Sequence, residues 1–430
     1  MHGRCTCTVC YVISLHHVHG DAFTTKTTEL LEYMPKLMFC ISDFSLLTDS
    51  YSKPRNPKRI KMDAKRLSRF PALLFCHPSM EDLASAIAAK CSRESLSLTC
   101  FTPNPGSQSQ TLDSHPLSEE NLTHVQMRLQ PVEFQKNGIL WDSFKDGWPN
   151  LFIDNVKQCA GRDVIFLGSF HSPEVVFEQL SLLYTMPRYL VRSFKFILPY
   201  FPTGTMERVD TEGQVATAKV LAMMLSSIPS TAHGPAQIVI FDIHALQERF
   251  YFSDTIIPRL ESAIPLLHRE MLKLPHDVKF NLAIAFPDEG AHKRFHGMFE
   301  DFPLITCIKV RNGDKRVVTI KEGEAKDQHI IIIDDLVQSG GTLRNCARAL
   351  LEKGAASVSA FVTHAVFPQN SWRAFTTAEA AASSVKFEHF WITDSIPHAR
   401  TIAEHAPFKL LSLCDVISET LLGYDLVQHI

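Results

Sequence analysis

The stretch His329-Ile330-Ile331-Ile332-Ile333-Asp334-Asp335-Leu336-Val337-Gln338-Ser339-Gly340-Gly341-Thr342-Leu343 carries the reading of the whole chain. Four consecutive β-branched isoleucines predict a buried strand. Two carboxylates stand at its carboxyl end. A Ser-Gly-Gly-Thr turn follows, and Leu343, Cys346, Ala347, Leu350 and Leu351 then recur at helical spacing until Gly354 stops them. Glycines in such a turn let the backbone approach an anion, and the amides at the helix start can hold a phosphate. The neighbouring acids can accept hydrogen bonds from sugar hydroxyls or hold a magnesium ion. A phosphorylated sugar is the ligand this pattern predicts.

Strands and helices alternate on both sides of that stretch. Leu73-Leu74-Phe75-Cys76, Val164 to Leu167, Phe194 to Leu198 and Ile238 to Phe241 read as strands. Helices are expected at Asp82 to Lys90 and at about 173–186 and 212–227. A second series follows, with strands at Leu282 to Phe286, Ile305 to Ile308, Arg316 to Ile320, Val358 to Val362, Phe390 to Ile392 and Leu410 to Leu413. Its helices are expected at about 259–274, 291–299, 343–353 and 415–422. This rhythm predicts an α/β chain of two domains with mostly parallel sheets, whose ligands collect at the carboxyl ends of the strands. Residues 1–69 read as an extension ending in a basic, proline-bearing linker, and Met62 could begin a shorter chain. A polar, proline-rich insertion is expected near 103–133.

Composition bounds the function. The chain has 430 residues, 45% of them hydrophobic and 21% charged, with a net charge of -3. That fits a globular protein with a sizeable core and gives no electrostatic case for nucleic acid. No uninterrupted apolar run reaches the ~18 residues of a membrane span. The 11 cysteines show no framework spacing, which predicts reduced thiols inside a cell. The cytoplasm is the expected compartment, with organellar import left open. Cys5, Cys7 and Cys10 with His16, His17 and His19 match no common zinc spacing.

Five further segments carry chemistry. Asp242-Ile243-His244 follows a strand, and two residues of extended chain would point both side chains one way. The pair could hold a divalent ion or polyphosphate, or His244 could simply satisfy a backbone carbonyl. Asp288, in Pro287-Asp288-Glu289-Gly290, is either a ligand at a strand end or a cap for the next helix. Lys309 and Arg311 share a face of a strand, as a phosphate clamp or a solvated basic hairpin. Trp148-Pro149-Asn150 could stack on and hydrogen-bond a purine, or form a packed turn. Phe201 to Val209 follows a strand and precedes a helix, with Arg208 near its end. His364 and Ser395 read as ordinary loop residues.

The acidic pair and glycine turn resemble the ribose-phosphate loop of type I phosphoribosyltransferases and of ribose-phosphate pyrophosphokinases. Asp334-Asp335-Leu336-Val337-Gln338-Ser339-Gly340-Gly341-Thr342-Leu343 looks most like the plant-type (class II) pyrophosphokinases. Phe241 to Phe250 resembles that family's Asp-x-His motif, and the turn at Asp288 and the Lys309/Arg311 pair occur in the family's order. The resemblance runs from about 71 to 423. It implies two tandem phosphoribosyltransferase-like, Rossmann-like domains, 70–258 and 259–423, with the active site at their junction. The implied reaction moves diphosphate from ATP to ribose 5-phosphate, giving 5-phosphoribosyl 1-diphosphate and AMP. Gln338, Ser339, Gly340, Gly341 and Thr342 would hold the 5-phosphate, and Asp334 and Asp335 the ribose. Asp242, His244 and Asp288 would serve magnesium. Trp148, Asn150, Arg208 and His244 would serve ATP, and Lys309 and Arg311 would steady the phosphates in flight. A homo-oligomer is implied, with adenine contacts shared between subunits. Phe152 stands where class I members place a base-reading glutamate. Two rivals are a silent regulatory subunit, disfavoured by the intact motifs, and a salvage phosphoribosyltransferase, disfavoured by the preceding α/β half.

Overall fold

The isoleucine strand is apolar on both sides and therefore needs a cover on each. Ile331 and Ile333 enter one apolar cluster, Ile330 and Ile332 another. The computed structural model describes residues 70–99, 131–312, 315–376 and 385–423, all within one unit, Ala64–Ile430. The expected extension, with its cysteines and linker, lies outside the described residues, as does most of the expected insertion.

The first half runs β1 (Ala72–Cys76), α1 (Glu81–Thr99), β2 (Val132–Phe134), β3 (Ile139–Ser143), β4 (Pro149–Ile153), β5 (Asp163–Leu167), α2 (Glu174–Thr185), β6 (Ser193–Leu198), α3 (Thr217–Leu225), β7 (Ala236–Phe241) and β8 (Ile256–Glu261). Six of these strands form a wholly parallel sheet in the order β2-β1-β5-β6-β7-β8. β3 and β4 form a separate antiparallel hairpin.

The second half runs α4 (Ile264–Met271), α5 (His276–Phe280), β9 (Leu282–Phe286), α6 (Glu289–Phe295), β10 (Leu304–Asn312), β11 (Lys315–Glu322), β12 (His329–Val337), α7 (Gly341–Glu352), β13 (Ser357–Ala365), β14 (Phe390–Thr393), α8 (Ala399–Ala403), β15 (Phe408–Leu411) and α9 (Cys414–Leu422). Its sheet has the order β11-β10-β9-β12-β13-β14-β15, and only the edge pair β10–β11 is antiparallel.

One apolar layer serves both sheets. Ile165, Leu167, Val239 and Phe241 of the first join Ile284, Phe286, Ile331, Ile333 and Phe361 of the second, with α1, α4 and α9 contributing to the same cluster. Helices α2 and α3 cover the other face of the first sheet, and α7 covers that of the second through Leu343, Cys346, Ala347 and Leu350. This sharing brings the carboxyl ends of β7, β12 and β13 together.

The structure differs from the sequence expectation in several places. The helix expected from 259 starts only at Ile264, because Ile256-Ile257-Pro258-Arg259-Leu260-Glu261 is a strand at the sheet edge, where proline is tolerated. The expected division at 258/259 falls within that strand. The helix expected at 212 begins at Thr217, held off by a turn through Gly213 at φ 92°. The helix expected to end near Lys90 continues to Thr99. Asn150 belongs to β4 of an unexpected hairpin.

α1, α4 and α9 are tied together by charge. Asp415 accepts from Lys90 at 2.6 Å and Arg269 at 3.0 Å, and Arg269 also reaches Glu419 at 2.5 Å. Burial would raise the Asp415 pKa, but the Lys90 and Arg269 cations hold it below its ordinary value. A depressed carboxyl pKa adds stability above the unfolded value near ~3.9 and loses it as pH falls through the folded one. Asp415 is 46% exposed, so solvent screens the pair. Asp415→Asn is expected to cost at most about 1 kcal/mol at pH 7. Urea midpoints of variant and wild type should draw together as pH falls below ~3.9; a gap that ignores pH would dissociate Asp415 from this network.

Candidate active site

Asp242 ends β7 in the left-handed region, at φ 39°, where a side chain other than glycine is uncommon. Only 2% of its surface is exposed. One carboxylate oxygen accepts from the Ser262 hydroxyl at 2.7 Å. The other accepts from the Ala263 amide at 2.8 Å and the Thr363 hydroxyl at 2.6 Å. His244, two residues on, leaves in a different direction, its Nδ1 2.7 Å from Asp335 Oδ2. Asp242 and His244 therefore do not share a face. The expectation assumed extended backbone, and one left-handed residue breaks that alternation.

The junction has a second strut. His364 on β13 places Nε2 3.0 Å from the Phe241 carbonyl oxygen and Nδ1 3.0 Å from Ser395 Oγ. Both side chains are buried; His364 lies within β13 and is not the loop residue that spacing suggested, whereas Ser395 does sit in the turn after β14. Burial lowers the His364 pKa and keeps the ring neutral.

Beside this junction opens a cleft of about 1120 Å³. Its walls bring together Arg208, His244, Asp288, Lys309, Asp334, Asp335 and the run Gln338 to Thr342. Gly340 caps α7 at φ 74°, and a Cβ there would overlap the Phe375 ring. The Ser371 hydroxyl donates to the Gln338 carbonyl at 3.0 Å, fixing the turn from behind. The first amides of α7, at Gly341 to Leu343, have no carbonyl within the helix. A phosphate there would meet several N–H donors at once.

Asp288 takes the capping role that its sequence allowed. Its Oδ1 caps α6 by accepting from the Gly290 and Ala291 amides, each at 3.1 Å. Its Oδ2 lies 3.3 Å from Lys309 Nζ across the cleft wall. Lys309 is exposed on β10, which continues as strand past the expected end at Ile308. The side chain of Arg311 lies outside the described residues.

The paired acids are unequal. Burial raises the Asp334 pKa well above the usual range, and the charges of Asp335 and Asp288 push it further. Burial acts on Asp335 too, but the hydrogen bond and charge of His244, with Arg294, overcome it and hold Asp335 below its ordinary value. The same bond to Asp335 raises His244. The pair thus presents one carboxylate held ionised and one that burial inclines to keep its proton.

Trp148 and Asn150 are not brought to this cleft. They stand on the β3–β4 hairpin, where Trp148 is exposed and packs edge-on against Phe177 at 5.3 Å. Three cleft or junction groups escaped the sequence reading. Arg294 and Glu207 line the cleft, and Glu248, beside His244, is fully buried. Burial raises the Glu248 pKa to about 7. The Lys293-Arg294 pair, just after a strand-end aspartate, was a signal that could have found Arg294; nothing in the local pattern marks Glu248.

Known proteins resemble this chain in sequence and in fold. The family model described as "Phosphoribosyl transferase domain" matches residues 297–402, which hold β10, the acidic pair and the glycine turn. "Ribose-phosphate pyrophosphokinase 4" of Oryza sativa subsp. japonica is 53% identical over 284 residues, 66% of this chain and 87% of the relative. "Ribose-phosphate pyrophosphokinase 3, mitochondrial" of Spinacia oleracea is 51% identical over 293 residues, 68% of this chain and 72% of the relative. The crystal structure of phosphoribosylpyrophosphate synthetase from Mycobacterium smegmatis superposes with a TM-score of 0.59 at 19% identity, covering 82% of this chain and 98% of that one, and so shares the fold. A plant relative 53% identical over an alignment that spans 87% of its length decides the matter: the chain belongs to the ribose-phosphate pyrophosphokinase family, enzymes that transfer diphosphate from ATP to ribose 5-phosphate.

Proposed function

We propose that the cleft holds both substrates side by side and that the residues on its walls divide the work of this transfer. The observation that carries the reading is the 2.7 Å bond from His244 to Asp335. It joins the Asp-x-His turn of one half to the acidic pair of the other. A nucleotide on the first and a sugar on the second would be neighbours.

Ribose 5-phosphate is assigned to the second half. Gln338, Ser339, Gly340, Gly341 and Thr342 take the 5-phosphate, and Asp334 and Asp335 take the ring hydroxyls. ATP phosphates are assigned to Arg208, His244 and Lys309, with Arg311 as the second clamp. The anomeric oxygen attacks the β-phosphorus. The bond from that phosphorus to the bridging oxygen breaks, the electron pair leaves on AMP, and the hydroxyl proton is released. Little covalent chemistry is left to the protein, whose part is positioning and charge neutralisation.

The donor set suits magnesium. Asp288 and the acidic pair line the cleft and offer hard oxygen ligands. That fits an ion which keeps waters and is shared with phosphates. Bound there, it would offset the charge of the phosphate chain. Asp242 is reassigned from metal ligand to positioning residue, because both its oxygens are already held.

The two phosphoribosyltransferase-like domains are best divided after Glu261, which leaves β8 in the first sheet. Trp148 and Asn150 are kept as adenine contacts, offered to a second copy of the chain in a homo-oligomer. Exposure of Trp148, Phe144 and Phe152 on one hairpin supports that use. The free thiols of Cys76, Cys91, Cys159, Cys307, Cys346 and Cys414 suit a reducing compartment, and we assign the chain to the cytoplasm.

Purified chain with magnesium, ATP and ribose 5-phosphate should yield AMP and 5-phosphoribosyl 1-diphosphate in equal amounts; ADP as the product would contradict attack at the β-phosphorus. Lys309→Ala is expected to lower kcat by about 10²–10³-fold with an unchanged melting temperature, and near-normal turnover would remove Lys309 from the mechanism. Asp335→Ala should raise the KM for ribose 5-phosphate more than that for ATP; equal rises would undo the division of labour. For Gly340→Ala, equilibrium dialysis should show ribose 5-phosphate binding largely lost, since the new methyl must displace Phe375, and retained binding would mean the turn has room to spare.

A further inference from the structure

Arg294 on α6 is a cation that the roles above do not use. It lines the cleft, and its side chain is only 10% exposed. A buried guanidinium is normally forked onto a carboxylate or phosphate, because an unpaired buried charge is costly. Arg294 is not. Its Nη1 is buried with no hydrogen-bond partner. Its Nη2 stands 3.7 Å from Asp242 Oδ1, beyond hydrogen-bond range. Asp242 cannot easily close that gap, because Ser262, Ala263 and Thr363 hold both its oxygens. The Phe295 ring lies 5.0 Å from the guanidinium carbon and steadies it without consuming its donors in the ring plane.

We propose that Arg294 is a substrate-contacting residue whose unsatisfied donors take non-bridging oxygens of the diphosphate group of ATP as that group passes to the sugar. The inference rests on the cleft being the substrate site, and adds to it a further cation held on a helix. A planar fork suits phosphate oxygens, which supply the opposite charge. A ribose hydroxyl or an adenine edge would leave the guanidinium uncompensated. The location fits, since the charge of Arg294 is felt both by Asp335 on the sugar side and by Glu248 beside the nucleotide-side turn. A guanidinium fixed between the two sites can hold the group before and after transfer without moving, whereas Lys309 reaches in from a strand edge.

The test separates the diphosphate from the rest of the nucleotide. Magnesium α,β-methylene ATP, whose α–β link cannot be broken, and AMP, which lacks the diphosphate, are titrated calorimetrically into the full chain. Arg294→Gln is expected to weaken the analogue by about 10- to 100-fold, the worth of one or two charge-assisted hydrogen bonds, and to leave AMP unchanged. Arg294→Lys, which keeps the buried charge and serves if the glutamine variant fails to fold, should lose about 10-fold for the analogue alone. Wild-type affinity for the analogue in Arg294→Lys, or equal losses for the analogue and AMP, would overturn the proposal. Lys309→Ala, measured in parallel, tells which reading failed. If it weakens the analogue while Arg294→Lys does not, only the role of Arg294 falls; if neither variant weakens it, the cleft assignment falls too.

Discussion

A single buried carboxylate organises the junction between the two α/β halves. Asp242 collects the Ser262 hydroxyl, the Ala263 amide and the Thr363 hydroxyl. Two of these donors lie just past the edge strand β8, and the third comes from β13 in the other sheet. A carboxylate with three donors can stay buried. Its left-handed backbone then turns the chain so that His244 reaches Asp335. If the carboxylate were not satisfied from both halves, neither the turn nor the cleft beyond it would have reason to hold its shape.

The cleft follows from that junction as an arrangement of unlike charges. Asp334 and Asp335 lie at its floor, Lys309 and Arg208 on exposed walls, and Arg294 is sunk into a third side. The acids differ because only Asp335 has a histidine partner. Such a site is poorly matched to a neutral ligand. It suits one that brings both hydroxyls for the acids and phosphates for the cations, and the two substrates of this family bring both.

Much of this was legible in the chain. Isoleucines 330–333 could hardly be anything but a strand covered twice, and the glycine turn after it needs φ > 0 at Gly340 wherever it occurs. These are local constraints. Asp288 was legible as a choice between cap and ligand, and the structure shows one oxygen doing the first while the other faces Lys309. β8 was misread because Pro258 and the following apolar spacing resemble a helix start, and only pairing with β7 reveals an edge strand.

Sequence alone determined most of the alternating strands and helices, the acidic pair, the glycine turn and the family resemblance, because each depends on neighbours within a few residues. Tertiary structure decided the rest. It turned Asp242 inward and His244 outward, placed His364 within a strand where its ring meets the turn residue Ser395 at the junction, and buried Arg294 without a full partner. Those outcomes depend on groups far apart in the chain, whose meeting is set by how two sheets share one apolar layer.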